Sequence, residues 1–559
     1  MKAEDRIESG FQELLLLARG RCRDEQELSM IRKAFDYARE AHKGFTLGGG
    51  EPFIEHPLAV AKIVISMIGL GYKSVCAALL HDVPKNSDHS AEQLKPLFGD
   101  KIASLVEGLC NIRTVLEAAG PLSEDESDDA RAEHFKRVLL SMGGDIRVVL
   151  VKLADRLENC RRLDTLSHAK ADRILTESKS IFIPLAHRLG LYGVKSEMEN
   201  IWLRHRRPQD YTWIENRLDR DVVQRSREID EFIVPIRSAL ESSGISFEIK
   251  KRIKTPYSIW HKMKTKGVSF EQIYDLYAVR IIFDCDVRDR EAERKRVFEI
   301  YNLVTGLYPQ NQSRLRDWIN QPKENGYEAL HCTLMSRAGI WVEVQIRSRR
   351  MDDIAEKGIA AHWNYKNDGY LSEDDTGMDR WLAKVQDILG SGDPDSLEIL
   401  EIIQDDMSGK TIGVFTPKGE QKNIPKGSTA LDFAYYVHTH VGNQAIAAKV
   451  NSKLAPLSRQ LLAGDQVEII TARKSTPKPE WLQFLRTRHA RRRLMDSIKD
   501  AGNPEQLRRM EEILSLHAAA EEMTLSVTLV GIRRPGLLED IENAIRQVDG
   551  IEDVVKSQI

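Results

Sequence analysis

Tyr277 to Phe283 reads Y-A-V-R-I-I-F, and Ile340 to Ile346 reads I-W-V-E-V-Q-I. Both runs are short, β-branched or alternating, the pattern of strands rather than helices. Helix-period stretches flank them, so residues 201–370 are expected to form a mixed α/β domain with leading helices. Upstream, residues 1–200 show helical periodicity almost throughout, as in Met30 to Ala41 and Ile54 to Met67. That predicts an all-helical domain, broken by the acidic run S-E-D-E-S-D-D at Ser123 to Asp129, which reads as a solvated loop. Downstream, a polar stretch with Gly369 and Gly377 marks a linker, taken as 371–408. A small β-rich unit is expected at 409–473, with strands at Thr411 to Phe415, Ala445 to Val450 and Gln466 to Thr471. Residues 474–520 return to helix and hold the most basic cluster. Residues 521–559 read strand, helix, strand, and no internal repeat is present. The fold class is multidomain, α and α/β.

Composition narrows the function classes. The 559 residues are 42% hydrophobic and 30% charged, the mix of a globular protein rather than a disordered or fibrous one. No apolar run approaches the roughly 20 residues that span a bilayer, and the acidic, mixed N-terminus lacks the apolar core of a secretory signal. The six cysteines lie far apart without a CxxC pair, which argues against a disulfide framework or a cysteine-based zinc finger. A cytoplasmic protein without membrane contact is the expectation. The net charge is −3, so any nucleic-acid contact must come from a local patch.

In the helical domain, His56, the pair His81-Asp82 and Asp155 are candidates to converge on a metal. Two imidazoles and two carboxylates form a borderline set that suits Mn²⁺, Fe²⁺ or Zn²⁺. The adjacent His-Asp after the apolar Ala77 to Leu80, with a second Asp much later in V-K-L-A-D-R-L-E-N, resembles the HD phosphohydrolase superfamily. With Glu51 to Val60 and I-P-L-A-H-R-L-G-L at Ile183 to Leu191, the stretch looks like the hydrolase domain of long RelA/SpoT homologues, which make and degrade (p)ppGpp. In that family a Glu-Asp pair, two residues after the His-Asp, activates the attacking water. Here those positions hold Lys85 and Asn86, and a loop position where the family has arginine holds Leu47. Neither an ammonium nor an amide takes a proton from water at neutral pH. Pro84 should also interrupt any helix there. The expectation is a degenerate hydrolase whose ligands remain and can still hold Mn²⁺.

The α/β domain carries more chemistry. Lys250 to Lys266 sets Lys251, Arg252, Lys254, Lys262, Lys264 and Lys266 around P-Y-S-I-W; the cations begin in a turn-like segment before a helix, with Ser258 near its start. Cations, backbone amides and a helix N-terminus suit a polyphosphate, although a charge run is more often a solvated face. Asp275 precedes one predicted strand and Glu343 sits on the other, so the two carboxylates can share a cleft and hold Mg²⁺. Asn325-Gly326-Tyr327 offers a turn and an aromatic face.

In order, these motifs resemble the synthetase domain of the RelA/SpoT homologues, which transfers a pyrophosphoryl group from ATP to the 3′-hydroxyl of GDP or GTP. The resemblance implies that Arg252, Lys254, Ser258 and Lys262 bind ATP, that Asp275 binds Mg²⁺, and that Glu343 is general base or a second Mg²⁺ contact. It assigns Lys323, Asn325 and Tyr327 to the guanine nucleotide, with His331 and Gln345 nearby. There are two departures. Glu328-Ala329 replace a common Gln-Ser, and R-L-R-D at Arg314 to Asp317 is nearer the variant of bifunctional enzymes.

The C-terminal third resembles regulatory modules of the same family. V-F-T-P-K-G at Val414 to Gly419, the run Gly427 to Gly442 and A-G-D-Q-V-E-I-I-T at Ala463 to Thr471 look like a TGS domain, a β-grasp fold. That implies contact of the C-terminal region with uncharged tRNA and the ribosome, with His438 touching the acceptor end of the tRNA; the alternative is an ordinary surface histidine. R-T-R-H-A-R-R-R at Arg486 to Arg493 is either a solvated face or a phosphate-binding patch, and the resemblance favours RNA. The last segment resembles the first half of an ACT domain.

Overall fold

The computed structural model describes residues 3–118 except 88, residue 137, 145–358 except 274, 321 and 323–325, residue 361, 411–417, 421–472 and 475–519. The acidic run at 123–129, the expected linker, the ACT-like segment, Lys323 and Asn325 lie outside them. The chain forms two compact units, Met1–Thr411 and Ile412–Ile559.

The first unit begins as a helical array around one apolar core that includes Phe11, Phe35, Leu79, Leu150 and Phe182. The predicted helix at Met30 to Ala41 lies inside helix Glu25–Ala41, whose start is capped by Asp24 accepting from Glu27 N. Helix Tyr72–Leu80 stops two residues before Asp82, and a one-turn helix, Val83–Asn86, restarts with Pro84 in its first turn. The proline therefore acts where it is tolerated, at a helix start.

A second core, including Ile236, Ile259, Val279, Ile281, Val344 and Ile346, fills the α/β half. Its five strands are β1 Phe247–Ile253, β2 Tyr277–Phe283, β3 Arg316–Asp317, β4 Leu330–Met335 and β5 Trp341–Ser348, in the order β1-β2-β5-β4-β3. Central β2 and β5 run parallel, with Ala278 beside Glu343. All seven residues of β2 are buried, which accounts for its unbroken apolar reading on either side of Arg280. One expectation changes. Lys250, Lys251 and Arg252 do not lie in a turn but on β1, an edge strand whose polar exterior carries charges at no packing cost. The turn is shorter and begins at Lys254. It leads into helix Pro256–Lys266, where Thr255 accepts from Ser258 N at 3.4 Å.

In the second unit, β6 Thr411–Phe415 pairs with β7 Gln421–Pro425, and β10 Val467–Thr471, β8 Ala445–Val450 and β9 Lys453–Ala455 form a three-stranded sheet. Asp432, 2% exposed, organises this unit. It accepts from Thr429 N and Thr429 Oγ1, each at 2.8 Å, and so caps helix Ala430–Val437. It also accepts from Thr487 N at 2.9 Å and Arg486 N at 3.1 Å, fixing the start of the basic helix Arg488–Ala501. Asp432→Ala strands several buried donors at once, each costing about 1–3 kcal/mol. The variant should lose amide-exchange protection across 430–437 and 488–501 together. Unchanged protection of the second segment would contradict the link.

Candidate functional site

Two clusters of chemistry-bearing side chains lie in the first unit. In the α/β half, Asp275 stands between two ammonium groups. Lys254 Nζ is 2.9 Å from its Oδ2, and Lys262 Nζ is 2.6 Å from its Oδ1. A backbone bond from Lys254 N to Leu276 O, 2.9 Å, ties the turn to the entry of β2. Burial alone would raise the Asp275 pKa, but Lys254 and Lys262 pull it down to about 2. The clasp therefore contributes stability above the ordinary carboxylate range and is lost only as pH falls through about 2. Ser258 Oγ lies 2.9 Å from Thr255 Oγ1 at the same helix start, and Arg252 is exposed on β1.

Glu343 projects from β5. Gln345 Nε2 donates to its Oε1 at 2.6 Å, and His331 Nδ1 lies 3.5 Å from that oxygen. The other ring nitrogen of His331 is 2.8 Å from the Tyr327 hydroxyl. Burial pushes the Tyr327 phenol up to about 12, so at neutral pH it stays protonated and can donate. The Tyr327 ring meets Tyr192 edge-on at 6.2 Å, which brings helix Tyr192–Arg206 against this loop. Gly326 has φ +76°, the left-handed geometry the predicted turn needs. The structure thus groups Lys254, Lys262, Asp275 and Ser258, and separately Tyr327, His331, Glu343 and Gln345. The hard oxygens of Asp275 and Glu343 fit Mg²⁺ chemistry.

In the helical half, His56, His81 and Asp155 are all buried and present ligand atoms within 4.8 Å of one another. Asp82 borders them, its Oδ2 3.2 Å from His81 Nε2. His81 Nδ1 lies 2.7 Å from Ala78 O, which makes it the donor and leaves the Nε2 lone pair facing the cluster. The donor set fits a borderline divalent ion. Both carboxylates already carry cations: Arg113 is 3.0 Å from Asp82 Oδ1, and Lys152 is 2.6 Å from Asp155 Oδ2. Lys85 is exposed, and Asn86 Nδ2 lies 3.5 Å from His42 Nδ1.

Sequence reasoning missed Arg113 and Lys152, whose contacts depend on helix packing. It also missed His42, which is buried beside Phe53 with its pKa lowered to about 4, mainly by burial. His42 stands directly after a helix, and that placement alone gave little signal.

Three family models match: "HD domain" over residues 34–192, "Region found in RelA / SpoT proteins" over 251–370, and "TGS domain" over 412–471. A Vibrio cholerae protein named guanosine-3′,5′-bis(diphosphate) 3′-pyrophosphohydrolase is 35% identical over 522 residues, 93% of this chain and 71% of that one. This chain belongs to the RelA/SpoT family. A Myxococcus xanthus GTP pyrophosphokinase is 37% identical, covering 85% of this chain and 61% of its own length. The Escherichia coli bifunctional (p)ppGpp synthase/hydrolase SpoT is 36% identical, covering 85% and 66%. The chain therefore spans 61% to 71% of the length of these relatives. Their names include both a pyrophosphokinase and hydrolases, and the chain carries both corresponding domains.

Lys152 pairs with the Asp155 carboxylate that a metal at this cluster would use. Removing its charge, as in Lys152→Met, should tighten Mn²⁺ binding about tenfold, a modest Coulombic effect at a part-buried site. His81→Ala should abolish that binding. Calorimetric titration with Mn²⁺ checks both, and weaker binding in Lys152→Met would contradict the reading.

Proposed function

We propose that this chain is a (p)ppGpp synthetase: it transfers the pyrophosphoryl group of ATP to the 3′-hydroxyl of GDP or GTP and has lost effective (p)ppGpp hydrolysis. The observation that carries the first half is the Lys254–Asp275–Lys262 clasp at the entry to β2, the strand that pairs with the β5 of Glu343. When ATP arrives, Lys254 and Lys262 move their charge from Asp275 to the phosphates, with Arg252 and Ser258 adding contacts. Asp275, freed of its two cations, would hold Mg²⁺, which would neutralise phosphate charge. Tyr327 contacts the guanine, and the family resemblance adds Lys323 and Asn325 to the acceptor-binding residues. Glu343 takes the 3′-hydroxyl proton as that oxygen bonds to the β-phosphorus of ATP and AMP leaves, while His331 and Gln345 hold the carboxylate in place.

The second half rests on Lys85 and Asn86. Neither supplies a base, and Arg113 and Lys152 already balance the two acidic ligands. A bifunctional synthetase and Mn²⁺-dependent hydrolase is the second reading. The grouped His56, His81 and Asp155 and the names of the relatives favour it. A purely non-enzymatic tRNA- or ribosome-binding regulator is disfavoured by the intact carboxylates and cations.

In the second unit, His438 is exposed beside exposed Tyr436 and Val437, and its Nδ1 accepts from His440 N. This supports a role for His438 in touching uncharged tRNA. We place the protein in the cytoplasm; among the described residues no helix is long and apolar enough to cross a membrane.

Asp275→Asn and Glu343→Gln should each cut pyrophosphoryl transfer by about 10²-fold or more; Glu343→Gln should melt near the wild-type temperature, and Asp275→Asn somewhat below it because the clasp is lost. Turnover within twofold of wild type in both variants would overturn the assignment. In the hydrolase half, the double change Lys85→Glu with Asn86→Asp should raise Mn²⁺-dependent release of pyrophosphate from ppGpp by about 10²-fold. No gain would show that something other than the missing base limits it.

A further inference from the structure

The residue after Tyr327 is anchored by charge. Arg290 Nη2 lies 3.0 Å from Glu328 Oε1, and Arg350 Nη2 lies 2.8 Å from Glu328 Oε2. The same guanidiniums meet a second carboxylate. Arg350 Nη2 is 3.0 Å and its Nε 3.1 Å from the two oxygens of Glu293, and Arg290 Nη1 is 2.7 Å from Glu293 Oε2. The Ser348 hydroxyl also donates to Glu293. Two cations and two anions alternate in a closed ring with no net charge. The side chains of Arg350 and Glu293 are each 1% exposed, whereas Arg290, at 43%, stands at the solvent rim.

The ring joins three elements. Helix Arg290–Leu307 supplies Arg290 and Glu293, the end of β5 and the helix Arg349–Lys357 after it supply Ser348 and Arg350, and the loop before β4 supplies Glu328. Strand β5 also carries Glu343, and the loop also carries Tyr327. On one side of the loop Tyr327 meets His331, which in turn faces Glu343; on the other Glu328 is locked to Arg350. A carboxylate is the right group here. An amide at 328 would point N–H donors at a guanidinium and leave the ring with an unmatched positive charge.

We infer that Glu328 is a positioning residue for the acceptor nucleotide: by fixing the chain beside Tyr327 to the buried Arg350, it sets where the tyrosine ring stands relative to Glu343. The inference rests on the synthetase reading above. It predicts a defect confined to one substrate and transmitted through one side chain.

The test uses the purified full chain, with KM for ATP, KM for GDP and kcat measured for wild type, E328Q, Y327A and E328Q/Y327A. E291Q, on the exposed face of the same helix, serves as the control. E328Q should raise the KM for GDP about tenfold, the size of one charge-assisted hydrogen bond. Its KM for ATP should stay within about twofold and its kcat within about threefold, the split expected when binding geometry alone is disturbed. In the Y327A background, the same change should move the KM for GDP by less than about twofold, because the side chain being positioned is gone. If E328Q melts early, Arg290→Met at the solvent rim replaces it, with an expected rise of about threefold. Equal effects in both tyrosine backgrounds, or an equal rise in the KM for ATP, would overturn the assignment. A wild-type chain that forms no product fails the synthetase reading itself. An active wild type with an unchanged E328Q fails only this inference.

Discussion

The carboxylate of Asp275, shared by the ammonium groups of Lys254 and Lys262, fixes the geometry of the α/β half. It joins the turn after β1, the first turns of the following helix and the entry to central strand β2. The group carries a net positive charge at the wall where a polyphosphate is proposed to arrive. The triad stabilises the fold by less than three charged groups could, since a part-buried ion triad repays its desolvation only partly. Such an arrangement makes better sense as a resting state, with cations parked on a carboxylate until a stronger anion displaces it.

The helical half shows the opposite balance. There two acidic ligands are each matched by a cation, Arg113 on Asp82 and Lys152 on Asp155, and the positions where the family supplies a base hold an exposed lysine and an amide. The two halves also touch. Lys179 of the helical half lies 4.8 Å from the ring centres of Trp202 and Tyr257, and Tyr257 opens the helix that carries Ser258 and Lys262. Tyr257 N donates to Asn200 Oδ1 at 3.0 Å. The helical domain thus buttresses the proposed phosphate-binding helix.

Much of this was legible in the residues. Strand β2 was read at its observed limits because all seven of its residues are buried, so its apolar, β-branched character is unmixed. His56, His81 and Asp155 lie together with Asp82 at their border, a grouping marked in the sequence by the adjacent His-Asp pair and by the resemblance to HD phosphohydrolases. Side chains that meet only through tertiary packing left no such mark. Arg113, Lys152 and His42 belong to this class, as does the ring around Glu328. Glu328 had read as an isolated departure from the family pattern, whereas in the fold it is matched by Arg290 and Arg350. The cations at 250–252 were misplaced into a turn because an edge strand facing solvent has no apolar alternation to mark it.

The central claim is that one chain builds the alarmone and does not remove it. A time course tests it most directly: purified full chain with limiting ATP, excess GDP, Mg²⁺ and Mn²⁺ together, and nucleotides resolved until long after ATP is exhausted. The account predicts that the pyrophosphorylated guanine nucleotide rises and then holds level. A rise followed by decay back to GDP, with release of pyrophosphate, would contradict it.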